Sequence, residues 1–167
     1  MKVSVRHTLD CSPETYWKKV FFDREYNQTL FLRDMKFPTW EVLEQKEGAD
    51  RVERRVRVTP PQQAPELIKK LISGTISYEE VGTWTAADAV YRFDTITSVM
   101  TDKIKIAGTI RAEPSGPDQM VRRVEMDVSV NILLVGGKVE KFLAEQLQSN
   151  WDASAQFTNR WLADRKP

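Results

Sequence analysis

The stretch GGKVEKFLAEQLQSNWDASAQFTNRWL, residues 136–162, decides the fold of this chain. Within it Val139, Phe142, Leu143, Leu147, Trp151, Phe157 and Trp161 recur at steps of three and four, so they share one apolar stripe of a helix. The helical pattern runs unbroken from Lys138 to about Arg165, roughly 40 Å at about 1.5 Å per residue, and Gly136 and Gly137 close the apolar strand before it. A stripe of that length needs a wide partner surface. Gln146, Asn150 and Ser154 interrupt it on its own face. Such small or polar groups fill a close-packed core poorly but can line a cavity, so the space against the helix is either core or ligand site.

The partner surface is written upstream. Residues 2–9 alternate strictly, with Val3, Val5, His7 and Leu9 on one face, which predicts a half-buried strand. Ser12 then caps a helix with Pro13 at its first position, Glu14 in its first turn, and Tyr16, Trp17, Val20 and Phe21 on its buried face. A second short helix covers about 24–32, and Pro38 stops it. Residues 40–47 and 51–58 read as a hairpin across residues 48–50, residues 59–64 as a loop, and PELIKKLISG as a short amphipathic helix ended by Gly74. Strands follow at about 76–85, 89–98, 103–113 and 120–132, with turns such as PSGPD between them. The sum is one α+β domain over 1–167. A curved sheet of seven antiparallel strands grips a long C-terminal helix, with two short helices after the first strand.

Composition excludes several classes. Lys plus Arg number 25 against 24 Asp plus Glu, so no net field would hold nucleic acid. The N-terminus lacks the apolar core of about 7 to 15 residues of a secretion signal, and no run reaches the about 18 apolar residues of a membrane span, which predicts a cytoplasmic protein. Cys11 is the only cysteine and has no internal partner for a disulfide. One histidine and one cysteine make no nitrogen and sulfur cage, and the acids show no calcium-loop spacing, so neither metal nor other cofactor is expected.

In three stretches the chain resembles the START-like, helix-grip superfamily, also called SRPBCC. VSVRHTLDCSPETYWKKVF is similar to its first strand and capped helix. PELIKKLISGTISYEEVGTW is similar to a segment of an uncharacterised bacterial branch, and LLVGGKVEKFLAEQLQSNWDASAQFTNRWL to that branch's glycine pair, lysine-glutamate start and aromatic-rich last helix. The resemblance implies a hydrophobic cavity between helix and sheet that holds a lipid-like or other hydrophobic small molecule. It implies no single chemistry, because the superfamily includes carriers, aromatases, cyclases and receptors.

Strand alternation nominates the cavity wall: His7, Val56, Tyr78, Tyr91, Phe93, Ile106 and Met126, faced from the last helix by Phe142, Gln146, Asn150 and Trp151. A largely apolar set with few polar groups is the composition of a ligand site, although each apolar member taken singly reads as core. For His7 a hydrogen-bonded structural role is expected over catalysis. Arg54 shares the inward phase of Val52, Val56 and Val58, so it needs a carboxylate such as Glu80 or Glu125, reached across a bulge, or a ligand head group. Arg51, Arg55 and Arg57 read as a solvated face paired with acids such as Glu79. The short helix, with Leu67, Ile68 and Leu71 on one side and Lys69 and Lys70 on the other, is expected to be either a lid that touches an anionic membrane transiently or a fixed closure of the barrel end.

No catalytic residue is assigned, because no Ser-His-Asp order, phosphate loop or dinucleotide fingerprint occurs. Three functions remain: a non-catalytic binder or carrier of a lipid-like molecule, a cyclase- or aromatase-like enzyme acting on a polyketide or aromatic substrate in the same cavity, or a protein-interaction module with a filled core. The enzyme would depend on orientation by His7, Tyr78, Tyr91 or Asn150.

Overall fold

Alternation forms β1 (Lys2–Leu9): Val3, Val5 and Leu9 are buried and Lys2, Ser4, Arg6 and Thr8 exposed. The computed structural model describes residues 1–166, and Pro167 lies outside the described residues. Ser12 Oγ accepts from Thr15 N at 3.2 Å and starts α1 (Pro13–Thr15), which widens at once into a π-helical stretch, Tyr16–Phe21. Tyr16, Trp17, Val20 and Phe21 of this stretch are all buried, as the sequence predicts. Asp23 caps α2 (Arg24–Gln28) by accepting from Tyr26 N at 2.8 Å, and this helix too continues as a π turn, Thr29–Asp34.

Strands β2 (Thr39–Glu47) and β3 (Arg51–Thr59) form the expected hairpin, with a register shift between Val42 and Glu44. Helix α3 (Glu66–Leu71) precedes β4 (Tyr78–Thr85), β5 (Val90–Thr97), β6 (Ile104–Gly116) and β7 (Gln119–Val130). All seven strands pair antiparallel in the order β1-β7-β6-β5-β4-β3-β2, so the first strand joins the last and both β1 and β2 are edges. Helix α4 (Gly136–Ala163) lies across the sheet, closest to β1 and β7, and buries Val139, Ala144, Ala155, Phe157 and Trp161. This is the α+β helix-grip arrangement read from the sequence.

One boundary differs from that reading. Gly136 and Gly137 do not end a strand; β7 stops at Val130, a turn intervenes, and the glycines are the first residues of α4. A Cβ on Gly136 would lie 2.6 Å from the Val130 carbonyl oxygen, whereas one on Gly137 would meet nothing within 4 Å. The pair therefore serves a tight corner, and only its first member needs to be glycine.

Candidate functional site

Two arginines stand on the sheet face that alternation reserves for apolar side chains. Arg54 is 5% exposed. Its Nη1 donates to the Phe21 carbonyl at 2.7 Å and its Nη2 to Glu80 Oε1 at 3.3 Å, while Tyr91 Oη donates to the same carboxylate oxygen at 2.9 Å. The guanidinium lies over the rings of Phe21 and Phe22, 4.3 and 5.4 Å from their centroids, which adds cation–π attraction. The inward arginine thus has the carboxylate it required. Glu125 is exposed, and no bulge is involved: Glu80 and Gly82 share the inward phase of β4, with Gly82 directly across from Arg54. On the outer face Arg55 and Arg57 both bond Glu79, and the Arg55 hydrogen bond foremost holds that carboxyl below its usual range.

Arg122 is 2% exposed and was not singled out by the sequence, although it continues the inward phase of Met120, Val124, Met126 and Val128. Its Nη2 donates to Ser154 Oγ at 2.9 Å, to the Trp151 carbonyl at 3.1 Å and to His7 Nδ1 at 3.2 Å. A guanidinium only donates, so His7 Nδ1 accepts, and the proton on Nε2 points at Asp152 Oδ1, 2.7 Å away. The acceptors of Nη2 are all neutral, and a carboxylate is reached only through the imidazole. From Ser154 the polar chain continues through Thr158 Oγ1, which donates to the Ser154 carbonyl at 2.6 Å, to Tyr26 Oη at 2.6 Å.

Among the described residues, most of the buried side-chain atoms without a hydrogen-bond partner are donors. Trp17 Nε1, Trp84 Nε1, Arg54 Nε, Arg122 Nε and Arg123 Nε have none, against one acceptor, Gln45 Oε1. Three of them share one corner: the Trp17 and Trp84 rings lie 6.0 Å apart, and Trp17 packs edge-on at 5.3 Å against Phe21, the ring beneath Arg54. Buried donors without acceptors are rare in a protein interior and call for a water or a ligand oxygen.

The nominated wall residues separate into three groups. Tyr91, Phe93, Ile106 and Met126 are buried in the main core, and Val56 belongs to a second cluster with Phe37, Trp40 and Val58. His7, Tyr78, Phe142, Asn150 and Trp151 are half-buried. Gln146 is exposed, which corrects its placement on the inner wall: Leu147 faces the core, and its chain neighbour is turned about 100° away. Much of the space expected beneath α4 is occupied, because the π-helical stretch after α1 and its end bring Tyr16, Trp17, Phe21 and Phe22 into the main core, with the Phe21 and Phe22 rings 4.7 and 5.9 Å from that of Tyr91. Trp84 on β4 and Phe142, Leu143, Leu147 and Trp151 on α4 stay half-buried against that core. Along α3, Ile68 is buried, Leu67 and Leu71 are half-buried, and Lys69 and Lys70 point to solvent. A hollow of about 770 Å³ is an open saucer on the opposite face of the sheet, walled by exposed groups such as Lys2, Arg92, Asp94 and Glu125. Among the described residues no three His, Cys, Asp or Glu side chains cluster as metal ligands, and no helix is long and apolar enough to cross a membrane.

Burial also raises the pKa of two groups that titrate at alkaline pH. Burial foremost, then Asp10, pushes the Cys11 thiol from 9.0 up to about 11, and burial raises the Tyr16 phenol against the opposing charge of Arg122. A pKa raised by folding gives stability that is complete below the unfolded value and is lost as pH climbs through the folded one. The urea midpoint is therefore expected to hold level up to about pH 9 and to fall between about pH 9 and 11, with a shallower fall in Cys11→Ala. A midpoint that stays flat across that window would contradict the assignment.

Known structures share this architecture. An aromatase/cyclase from Streptomyces superposes with a TM-score of 0.66 at 14% identity, covering 99% of this chain and 94% of its own. A START superfamily protein from Mycobacterium smegmatis gives 0.64 at 17%, covering 96% and 98%. Norcoclaurine synthase from Thalictrum flavum, in complex with dopamine and hydroxybenzaldehyde, gives 0.66 at 16%, covering 100% and 88%. The fold is thus the START-like, helix-grip fold. No curated protein matches the chain in sequence. A family model described as "Protein of unknown function (DUF2505)" matches residues 4–162.

Proposed function

The chain belongs to the DUF2505 family, and from that premise we propose that it binds a hydrophobic small molecule, lipid-like in its apolar part and carrying acceptor oxygens, between α4 and the sheet. The observation that carries this reading is the excess of unpartnered donors in an apolar interior: two indole N–H groups and two guanidinium Nε atoms. An aliphatic or aromatic body fits a seam along half-buried Trp84, Leu147 and Trp151, and its oxygens supply acceptors for these donors. Admission requires movement. Helix α3 is the cover, with Gly74 at φ +88 on its C-terminal side and prolines on the other, and its docked apolar face is the closed position.

The test is titration with cis-parinaric acid, a fluorescent fatty acid, alongside its methyl ester. Wild-type protein is expected to take up the acid. Asn150→Trp, which fills the seam from α4, is expected to abolish uptake while the far-ultraviolet circular dichroism stays unchanged. Trp84→Phe keeps the ring but deletes the donor, and is expected to weaken the acid about tenfold, the worth of one hydrogen bond to a charged group, with a smaller effect on the ester. The aromatic filling contributed by the stretch after α1 favours a second reading, a protein-interaction module with a filled core. It predicts no uptake of either probe, and native mass spectrometry of the purified protein that finds no retained small molecule.

A further inference from the structure

The most exposed large apolar side chains among the described residues are neighbours: Leu133 and Leu134, 87% and 94% exposed, against 50% for Met1, the next. They sit at the tip of the turn between β7 and α4. Isolated exposed leucines are ordinary, but two adjacent ones standing almost wholly in water are not. The turn that presents them is held firmly. Asn131 N donates to the Lys103 carbonyl and Gly136 N to the Ile132 carbonyl, each at 2.8 Å, and Val139 N closes on the Val135 carbonyl at 3.1 Å. Leu134 itself adopts φ +69, a left-handed conformation uncommon for a residue with a Cβ. The backbone tolerates that conformation while both side chains project outward.

Two further features meet at the tip. Helix α4, 28 residues long, begins directly behind it without a side-chain cap, so the positive end of its dipole faces the same way. Exposed Lys103, on the segment bonded to the turn, and Lys138, in the first helical turn, flank the leucines, with Asp102 the acid beside Lys103. Glu140 is engaged by the N-terminal amine at 2.8 Å and by Val130 N at 3.2 Å. Apolar points with two exposed lysines and a helix N-terminus nearby fit the boundary between acyl chains and anionic head groups. They fit another protein poorly, since a stable interface buries about 1,200 Å² or more and a two-residue knob offers a small fraction of that.

We propose that the β7–α4 tip docks the protein on an anionic lipid bilayer, with Leu133 and Leu134 inserted and Lys103, Lys138 and the start of α4 against the phosphates. This goes beyond the ligand reading and does not depend on it. It also places membrane contact away from α3, whose apolar side already faces the core.

The test is flotation with vesicles of phosphatidylcholine alone and of equal parts phosphatidylcholine and phosphatidylglycerol. Wild-type protein is expected to float with the anionic vesicles and to be released by salt. Leu133→Ser/Leu134→Ser, at surface positions that leave the fold intact, is expected to lower partitioning at least about tenfold. Lys103→Glu/Lys138→Glu is expected to abolish the preference for phosphatidylglycerol, and Lys69→Glu/Lys70→Glu to leave it unchanged. The proposal is overturned if wild-type protein ignores both vesicles, if the leucine variant floats as well as wild type, if the α3 variant is the one that fails, or if light scattering shows a dimer that the leucine substitutions dissolve.

Discussion

Arg54→Met is expected to lower the free energy of unfolding by about 3–5 kcal/mol, because it leaves a carboxylate inside the fold with its charge uncompensated. Glu80 Oε1 accepts from both Arg54 Nη2 and Tyr91 Oη, and after the substitution only the phenol remains. The Phe21 carbonyl loses its donor at the same time, and the rings of Phe21 and Phe22 lose the cation above them. Methionine supplies comparable volume, so the loss is electrostatic and not one of packing. Urea denaturation followed by tryptophan fluorescence gives the number. The double variant Arg54→Met/Glu80→Leu is expected to recover most of it, because removing both members of a buried pair costs far less than removing one. A single variant within about 1 kcal/mol of wild type, or a double variant as weak as the single, would mean that the pair is more hydrated than its burial implies.

Gly136→Ala is the second large effect, expected at about 2–3 kcal/mol, the usual range when an extra methyl is forced into a filled space. The obstacle is backbone: the Val130 carbonyl oxygen, 2.6 Å from the added Cβ, terminates β7 and cannot turn aside as a side-chain tip would. The corner that brings α4 back over the sheet would have to open. Gly137→Ala, one residue on, is expected to be neutral or to stabilise by up to about 1 kcal/mol, since alanine is the better helix former and its methyl meets open space. Thermal melts of the two variants should therefore move in different directions. Equal losses in both would show that the corner needs two flexible residues and not one close approach.

The fold was legible because its signals are periodic. The apolar stripe of α4 and the alternation in β1, β3 and β7 are each visible in a window of about ten residues. Arg54 was legible too, as a charged residue in an apolar phase, and Glu80 was named as a partner but across a bulge that the structure does not need. Arg122 obeys the same rule on β7, yet the apolar partners Val124, Met126 and Val128 carried the reading and the arginine among them passed unnoticed. The π-helical turns after α1 and α2 were not legible, because helix periodicity does not tell an i→i+4 from an i→i+5 bond over six residues. Tyr16, Trp17, Val20 and Phe21 were read as a buried face all the same; what periodicity left open was Phe22 and how far these rings fill the concavity. Gln146 was misplaced for a related reason, since a stripe defined by steps of three and four leaves its flanks undetermined until the helix is docked on β1 and β7.

The pairing of β1 with β7 has a consequence for biosynthesis. Lys2 lies opposite Asp127 and Leu9 opposite Met120, so the opening strand waits for about two-thirds of the chain before its only neighbour exists. At about 5–20 residues per second on the ribosome, that wait is on the order of ten seconds. Throughout it, the aromatic residues from Tyr16 to Phe22 have been translated but the central strands they cover are still arriving, so the nascent polypeptide shows its greasiest segment first and conceals it last. Any product released before β7 is made leaves β1 without its neighbour.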